Sequence, residues 1–229
     1  MSILRVENLS YYIAQKPIIK DFSLSLNLGQ IVTLFGPSGC GKSTFLRLIS
    51  SILKPKDGII NHSGKISYIF QEHRLFDSLS VYENIALVMK RADPKWIYDN
   101  LSDLGLSKID AKKYPNELSG GMRARVAFIR ALAYNGDLIL LDEPFSGIDF
   151  TMRQILMEKL NSAIKSNNKA AILVTHDAYE ACKLSDIIIF LSQTQMQIEK
   201  TLKINQKNRD EKFIKELFNS EFKGRIYFD

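Results

Sequence analysis

The chain has 229 residues, enough for one large hydrophobic core or two small ones, and its 45% hydrophobic content is ordinary for a globular protein. Its 31 basic and 25 acidic side chains leave a net charge of +6, but they are interspersed with no run of five like charges, so the balance does not call for nucleic acid. Apolar runs such as Ile187 to Leu191 fall far short of the roughly 20 residues that span a bilayer, and the two cysteines, Cys40 and Cys182, read as reduced thiols of a cytosolic protein rather than a disulfide framework.

At the amino terminus, Met1-Ser2-Ile3-Leu4-Arg5 lacks the apolar stretch of a secretion signal. Residues 3 to 35 read as short strands, with alternation through Phe22-Ser23-Leu24-Ser25-Leu26 and a turn at Asn27-Leu28-Gly29. The apolar run Ile31 to Phe35 predicts a strand and Thr44 to Leu53 a helix. Between them lies Gly36-Pro37-Ser38-Gly39-Cys40-Gly41-Lys42-Ser43, a phosphate-binding loop in the strand-to-helix context it needs. Its glycines let backbone N–H groups turn inward around an anion, and the helix N-terminus adds partial positive charge. Lys42 is suited to reach β- and γ-phosphates and Ser43 to ligate Mg²⁺. The same helix terminus is expected to acidify the Cys40 thiol, so that alkylation would abolish nucleotide binding.

Downstream, Pro55-Lys56-Asp57-Gly58 is a turn, followed by a hairpin-like Ile59-Ile60, a turn over Asn61 to Gly64 and the strand Ile66 to Phe70. From 72 to 115 the pattern changes: Val81, Ile85 and Val88, then Ile97, Leu101 and Leu104, recur at helical spacing and predict a mostly helical insertion. From Leu118, helix and buried strand alternate. Helices through Ala133, over Thr151 to Lys165 and over Ala178 to Lys183 separate the strands Leu138 to Leu141, Ala171 to Val174 and Ile187 to Leu191, an order that implies parallel strands with crossover helices. The tail from Ser192 is polar and mixed in charge, with Phe213, Ile214, Leu217 and Phe218 marking a terminal amphipathic helix.

Two further segments carry chemistry. Asp142 and Glu143 end the strand Leu138 to Leu141, at the carboxyl edge where open α/β sheets bind ligands. Asp142 is suited to hold Mg²⁺ through water, and Glu143 to accept a proton from an attacking water. Leu118-Ser119-Gly120-Gly121-Met122, before an arginine-rich helix, reads either as a second anion site or as a plain helix cap after the Pro115-Asn116 turn.

Taken in order, these marks resemble the nucleotide-binding subunits of ATP-binding-cassette (ABC) transporters, over about residues 3 to 191. They are the phosphate loop Gly36 to Thr44, Gln71 after the strand Ile66 to Phe70, the signature Leu118 to Met122, Asp142-Glu143, Asp149 of Ser146-Gly147-Ile148-Asp149, and His176 after Leu173-Val174-Thr175. The resemblance implies an α/β P-loop NTPase domain over 1–229. It would have a mostly parallel core sheet (1–71 and 133–191), an N-terminal antiparallel β subdomain, an inserted α-helical subdomain at about 72–132, and a tail at 192–229.

The resemblance also implies ATP and Mg²⁺ as cofactors and a dimer of two copies, each ATP lying between one copy's Gly36, Pro37, Ser38, Gly39, Cys40, Gly41, Lys42, Ser43 and Thr44 and the other's Ser119, Gly120 and Gly121. Asp149 would lie at that interface. Lys42, Gln71, Glu143 and His176 would form the catalytic set, with Ser43, Gln71 and Asp142 on the metal. Adenine would stack near residue 12, on Tyr12, with Tyr11 and Ile13 as alternatives. Residues 72 to 83 would receive a helix of a membrane permease.

Met122-Arg123 resembles nitrate-, sulfonate- and taurine-type importer ATPases, and Pro144-Phe145-Ser146-Gly147-Ile148-Asp149 has the importer style. The expected role is therefore an ATPase powering a solute importer, on the cytoplasmic face of the cell membrane, with permease subunits, a substrate-binding protein and no nucleic acid. The alternatives are a soluble relative acting on nucleic acid or ribosomes and an efflux or lipid-extraction ATPase. The absence of sustained heptads or an inserted arm argues against the soluble relative.

Overall fold

The structure, a computed structural model, describes residues 2–166, 168–205 and 209–222. Strands β1 (Ser2–Ile13) and β2 (Lys16–Asn27) form a hairpin turned by Ala14 and Gln15. Both turn residues have positive φ, 46° and 66°, the geometry whose twist matches flanking strands. Strand β3 (Ile31–Phe35) leads into the phosphate loop, and helix α1 (Lys42–Ile49) follows it. This helix is shorter than Thr44 to Leu53: it starts at Lys42 and ends where Ser51 turns to φ 61°.

The Ile59-Ile60 segment is not a hairpin partner of Ile66 to Phe70. It belongs to β4 (Asp57–His62), which pairs antiparallel with β1, Val6 opposite Ile60, in a three-stranded sheet of order β2-β1-β4. Gly58 permits this junction: it has φ 89°, and a Cβ there would sit 2.5 Å from the Asn8 carbonyl oxygen.

The second sheet has six strands in the order β5-β6-β7-β3-β8-β9: β5 (Ile66–Ile69), β6 (Leu138–Asp142), β7 (Ala170–Thr175), β8 (Ile187–Leu191) and β9 (Ile198–Lys203). All neighbours are parallel except β8 and β9. Strands β3, β6 and β7 are buried at every position, which is why they read as unbroken apolar runs. The antiparallel edge strand β9 was not expected, because it is exposed along nearly its whole length and its sequence is mostly polar. Register levels the strand ends that matter: Phe35 lies opposite Thr175, and Asp142 opposite Val174.

Between β5 and β6 run α2 (Val81–Ala86), α3 (Pro94–Asp103), short helical turns and α4 (Gly120–Tyr134). Ser80 and Glu83 form a capping box on α2, Asp93 caps α3 ahead of Pro94, and Asn135 in the left-handed conformation ends α4. Val81, Ile85, Ile97, Leu101 and Leu104 are all buried in one cluster with β6, α4 and α5 (Phe150–Ser166). Helix α6 (Ala178–Leu184) precedes β8, and α7 (Glu211–Leu217) runs into a wider turn over Phe218–Phe222.

That last segment packs on the sheet as its amphipathic pattern predicts. Phe222 is fully buried, its ring 4.8 Å from Phe35 and 5.2 Å from Phe190 in edge-on contacts. Because Phe35 immediately precedes the phosphate loop, the tail buttresses the strand that aims it. Phe222→Ala is expected to lower stability by about 3–5 kcal/mol in urea denaturation, against a change near zero for exposed Lys215→Ala. Equal midpoints for the two variants would show that the tail does not anchor β3.

Candidate functional site: a nucleotide-binding edge

The loops after β3, β6 and β7 meet at the carboxyl edge of the parallel sheet, where such folds bind ligands. In the phosphate loop, two glycines are demanded by space. A Cβ on Gly36 would lie 2.9 Å from Leu191 Cβ, and one on Gly41, at φ 115°, would crowd the Ile18 carbonyl and Met196. Pro37, Ser38 and Gly39 form the more exposed crest, and Ser43 and Thr44 open α1 half-buried. Lys42 is buried, and its ammonium donates to the carbonyls of Gly36 and Pro37, each at 2.7 Å. A cation is thus held across the loop by neutral acceptors that a phosphate can replace.

Ser43 Oγ donates to Asp142 Oδ1 at 2.9 Å, joining α1 to the end of β6. Asp142 is buried; desolvation raises its pKa, with the Ser43 hydrogen bond opposing. The next residue, Glu143, turns away at φ 47°, an uncommon conformation for a residue other than glycine. Its N–H donates to Val174 O at 3.0 Å, and Ser146 N–H donates back to its carbonyl at 3.2 Å, so the turn is held at both ends. Strain of this kind is kept where the surroundings over-determine it, commonly at functional sites. The carboxylate lies 3.3 Å from His176 Nδ1, and His176 itself is about half exposed.

Gln71 and Glu143 line one cavity of about 150 Å³ with Phe70, His73, Ala124 and Ser146. A residue absent from the sequence reading shapes this wall: Arg130 on α4 donates to the carbonyls of Arg74, at 2.7 Å, and His73, at 2.9 Å. It pins the segment after Gln71 to the signature helix. Its only sequence signal was the arginine richness of α4.

The signature opens α4. Ser119 Oγ accepts from Met122 N–H at 3.2 Å, so the helix-cap reading holds, and Gly120 and Gly121 stand on the first turn of a 15-residue helix. Gly121 faces the Gly147 carbonyl, placing the signature against the Asp149 loop. Asp149 is exposed and caps α5 by accepting from Met152 N–H at 3.0 Å.

Tyr12 and Ile13 are exposed at the tip of the β1–β2 hairpin, whereas Tyr11 is half-buried against the core. The hairpin reaches the phosphate loop because Ile18 abuts Gly41. One expectation is overturned. Cys40 is buried, and desolvation raises its thiol pKa despite the Lys42 ammonium 3.9 Å from its sulfur. Burial outweighs the Lys42 charge and the local hydrogen bonds.

The match to known proteins agrees with this geometry. Residues 19–146 match the ABC transporter family model. The uncharacterised ABC transporter ATP-binding protein YtlC of Bacillus subtilis is 38% identical over 209 residues, covering 84% of this chain and 80% of that one. The aliphatic sulfonates import ATP-binding protein SsuB of the same organism is 38% identical over 198 residues, covering 82% and 78%. Among solved structures, a dimeric post-hydrolysis state of the ATP-binding cassette MJ0796 bound to ADP and Pi superposes with a TM-score of 0.80 at 28% identity, covering 89% of this chain and 99% of that one.

The chain is an ATP-binding, ATP-hydrolysing cassette. It belongs to the ABC transporter family.

With its thiol buried, Cys40 should react with iodoacetamide at pH 7.5 roughly tenfold or more slowly in the folded chain than in urea, read by mass spectrometry. Equal rates would restore the acidified thiol.

Proposed function

We propose that the chain is the energy-coupling ATPase of a solute importer, working as a dimer on Mg-ATP at the cytoplasmic face of the membrane. The observation that carries the catalytic part is the Glu143 carboxylate, held in a strained turn between His176 Nδ1 and the cavity shared with Gln71, beside the hydrogen-bonded pair Ser43 and Asp142. The importer part rests on the likeness to SsuB and on the Met122-Arg123 and Pro144 to Asp149 segments.

Ser43 Oγ and Asp142 are hard oxygen donors that suit Mg²⁺ completed by water and phosphate oxygens, with Gln71 nearby at the strand end. When bound, Mg²⁺ would neutralise charge on the triphosphate. Lys42 and the N–H groups of Gly39, Cys40, Gly41 and Ser43 bind β- and γ-phosphates, and Tyr12 is the exposed aromatic for adenine. Glu143 orients the attacking water and takes its proton, and His176 stands between that carboxylate and the γ-phosphate. Ser119, Gly120 and Gly121 of the second copy close the site, with Asp149 at the seam.

No helix among the described residues is long and apolar enough to cross a membrane, so in this reading permease subunits supply the membrane path. Their docking helix would meet residues 72–83 of the helical arm (72–132), where Phe76 is exposed and Leu75 and Tyr82 are half-buried. A substrate-binding protein would complete the importer. This ATPase would not touch the transported solute.

Glu143→Gln should bind Mg-ATP, dimerise on size exclusion with light scattering, and turn over about 10²–10⁴-fold more slowly. A variant that stays monomeric in saturating Mg-ATP would overturn the dimeric reading, and hydrolysis at the parental rate would remove Glu143 from this role.

A further inference from the structure

Behind the reacting edge lies a polar cluster with no part in the site described so far. Arg153, on the first turn of α5, donates from Nη1 to Asp177 Oδ2 at 2.7 Å, and that nitrogen is 3.5 Å from Glu180 Oε1. Its Nη2 donates to the Ile148 carbonyl at 3.4 Å, and its backbone N–H to the Asp149 carbonyl at 2.9 Å. Asp177 spends its other oxygen on the N–H groups of Tyr179 and Glu180, capping α6. Glu180 is buried and accepts from Thr175 Oγ1 at 2.6 Å, while Asp177 N–H donates to that same hydroxyl at 3.0 Å. His176 is therefore fixed on both flanks, and through Arg153 those flanks are tied to the segment that carries Asp149.

On the reading that His176 serves the γ-phosphate and Asp149 the second copy, we propose that Arg153 is a positioning residue. It makes alignment of His176 and seating of the Asp149 loop against the partner a single event. Capping of α6 does not need it, since Asp177 Oδ1 does that alone. The planar guanidinium is suited to bridging a carboxylate and a carbonyl at once, a task one ammonium cannot reproduce.

The titratable and charged groups facing Glu180 are Asp177 and His176, just before α6, and Arg153 from α5. Burial pushes the Glu180 carboxyl up to about 7, the Thr175 hydrogen bond opposing. Near neutrality it therefore passes between an acid and an anion that pairs with Arg153. Because this pKa is raised above the unfolded value, the contribution to stability falls as pH rises from about 4.5 to about 7, while the ion pair forms.

The test uses the full chain with Mg-ATP. Arg153→Met and Arg153→Lys should each retain affinity for a fluorescent ATP analogue within about twofold, because the phosphate loop is untouched. Turnover should fall roughly tenfold in both, with loss of cooperativity in ATP. In a Glu143→Gln background each should need severalfold more ATP to dimerise.

Lysine should recover the melting temperature but not the turnover, which separates positioning from a merely structural role. Glu180→Gln, a mimic of the acid form, should match the parent below about pH 6 and fall severalfold behind it by pH 8. Parental turnover and dimerisation in both Arg153 variants, turnover restored by lysine along with stability, or parallel pH profiles for Glu180→Gln would each overturn the proposal. Failure of Glu143→Gln itself to dimerise would instead sink the functional reading on which it rests.

Discussion

The in-register seating of β7 between β6 and β3 is the constraint on which the rest of the molecule depends. With Asp142 level with Val174 and Phe35 level with Thr175, three strands end on one line, and the loops that leave them cannot avoid one another. The phosphate loop, the Glu143 turn and His176 are brought together by backbone hydrogen bonds, before any side chain acts. A one-residue slip would move Asp142 away from Ser43 and invert which side chains face each layer. Parallel ladders on both sides of β7 hold that register.

Around this line the protein stores charge in exchangeable form. Lys42 rests on two carbonyls, and Asp142 on one hydroxyl. Buried charges kept by neutral partners are costly to hold alone and gain strongly when an opposite charge arrives. In the layer behind, charge is instead held by opposite charge, where Arg153 meets Asp177 and Glu180. The fold thus presents a positive loop, a carboxylate edge and an ionic brace as three successive depths of one structure.

The helical segment between β5 and β6 shares a buried cluster with β6 and β7, and polar contacts brace it internally and against the Asp149 loop. Arg130 holds the backbone of His73 and Arg74, Arg123 holds the carbonyls of Pro115 and Leu118, and Gly121 rests near Gly147. Helix α4 thus touches the segment after Gln71 on one side and the loop leading to Asp149 on the other.

What the sequence determined by itself was local. The phosphate loop, the apolar runs ending in Asp142-Glu143 and Thr175-His176, and the helical spacing of Val81, Ile85, Ile97 and Leu101 are written in neighbouring residues, because strand, turn and helix preferences act over a few positions. The tertiary structure decided the rest. It chose β1 rather than β5 as the partner of β4, added the mostly polar β9 at an edge, twisted Glu143 to positive φ, and gathered Arg153, Asp177 and Glu180 from α5 and α6. It also reversed the expected sign at Cys40, where the burial imposed by the packing outweighs the nearby Lys42 charge. Pairing, strain and desolvation depend on which distant residues come into contact, and no short stretch of sequence carries that information.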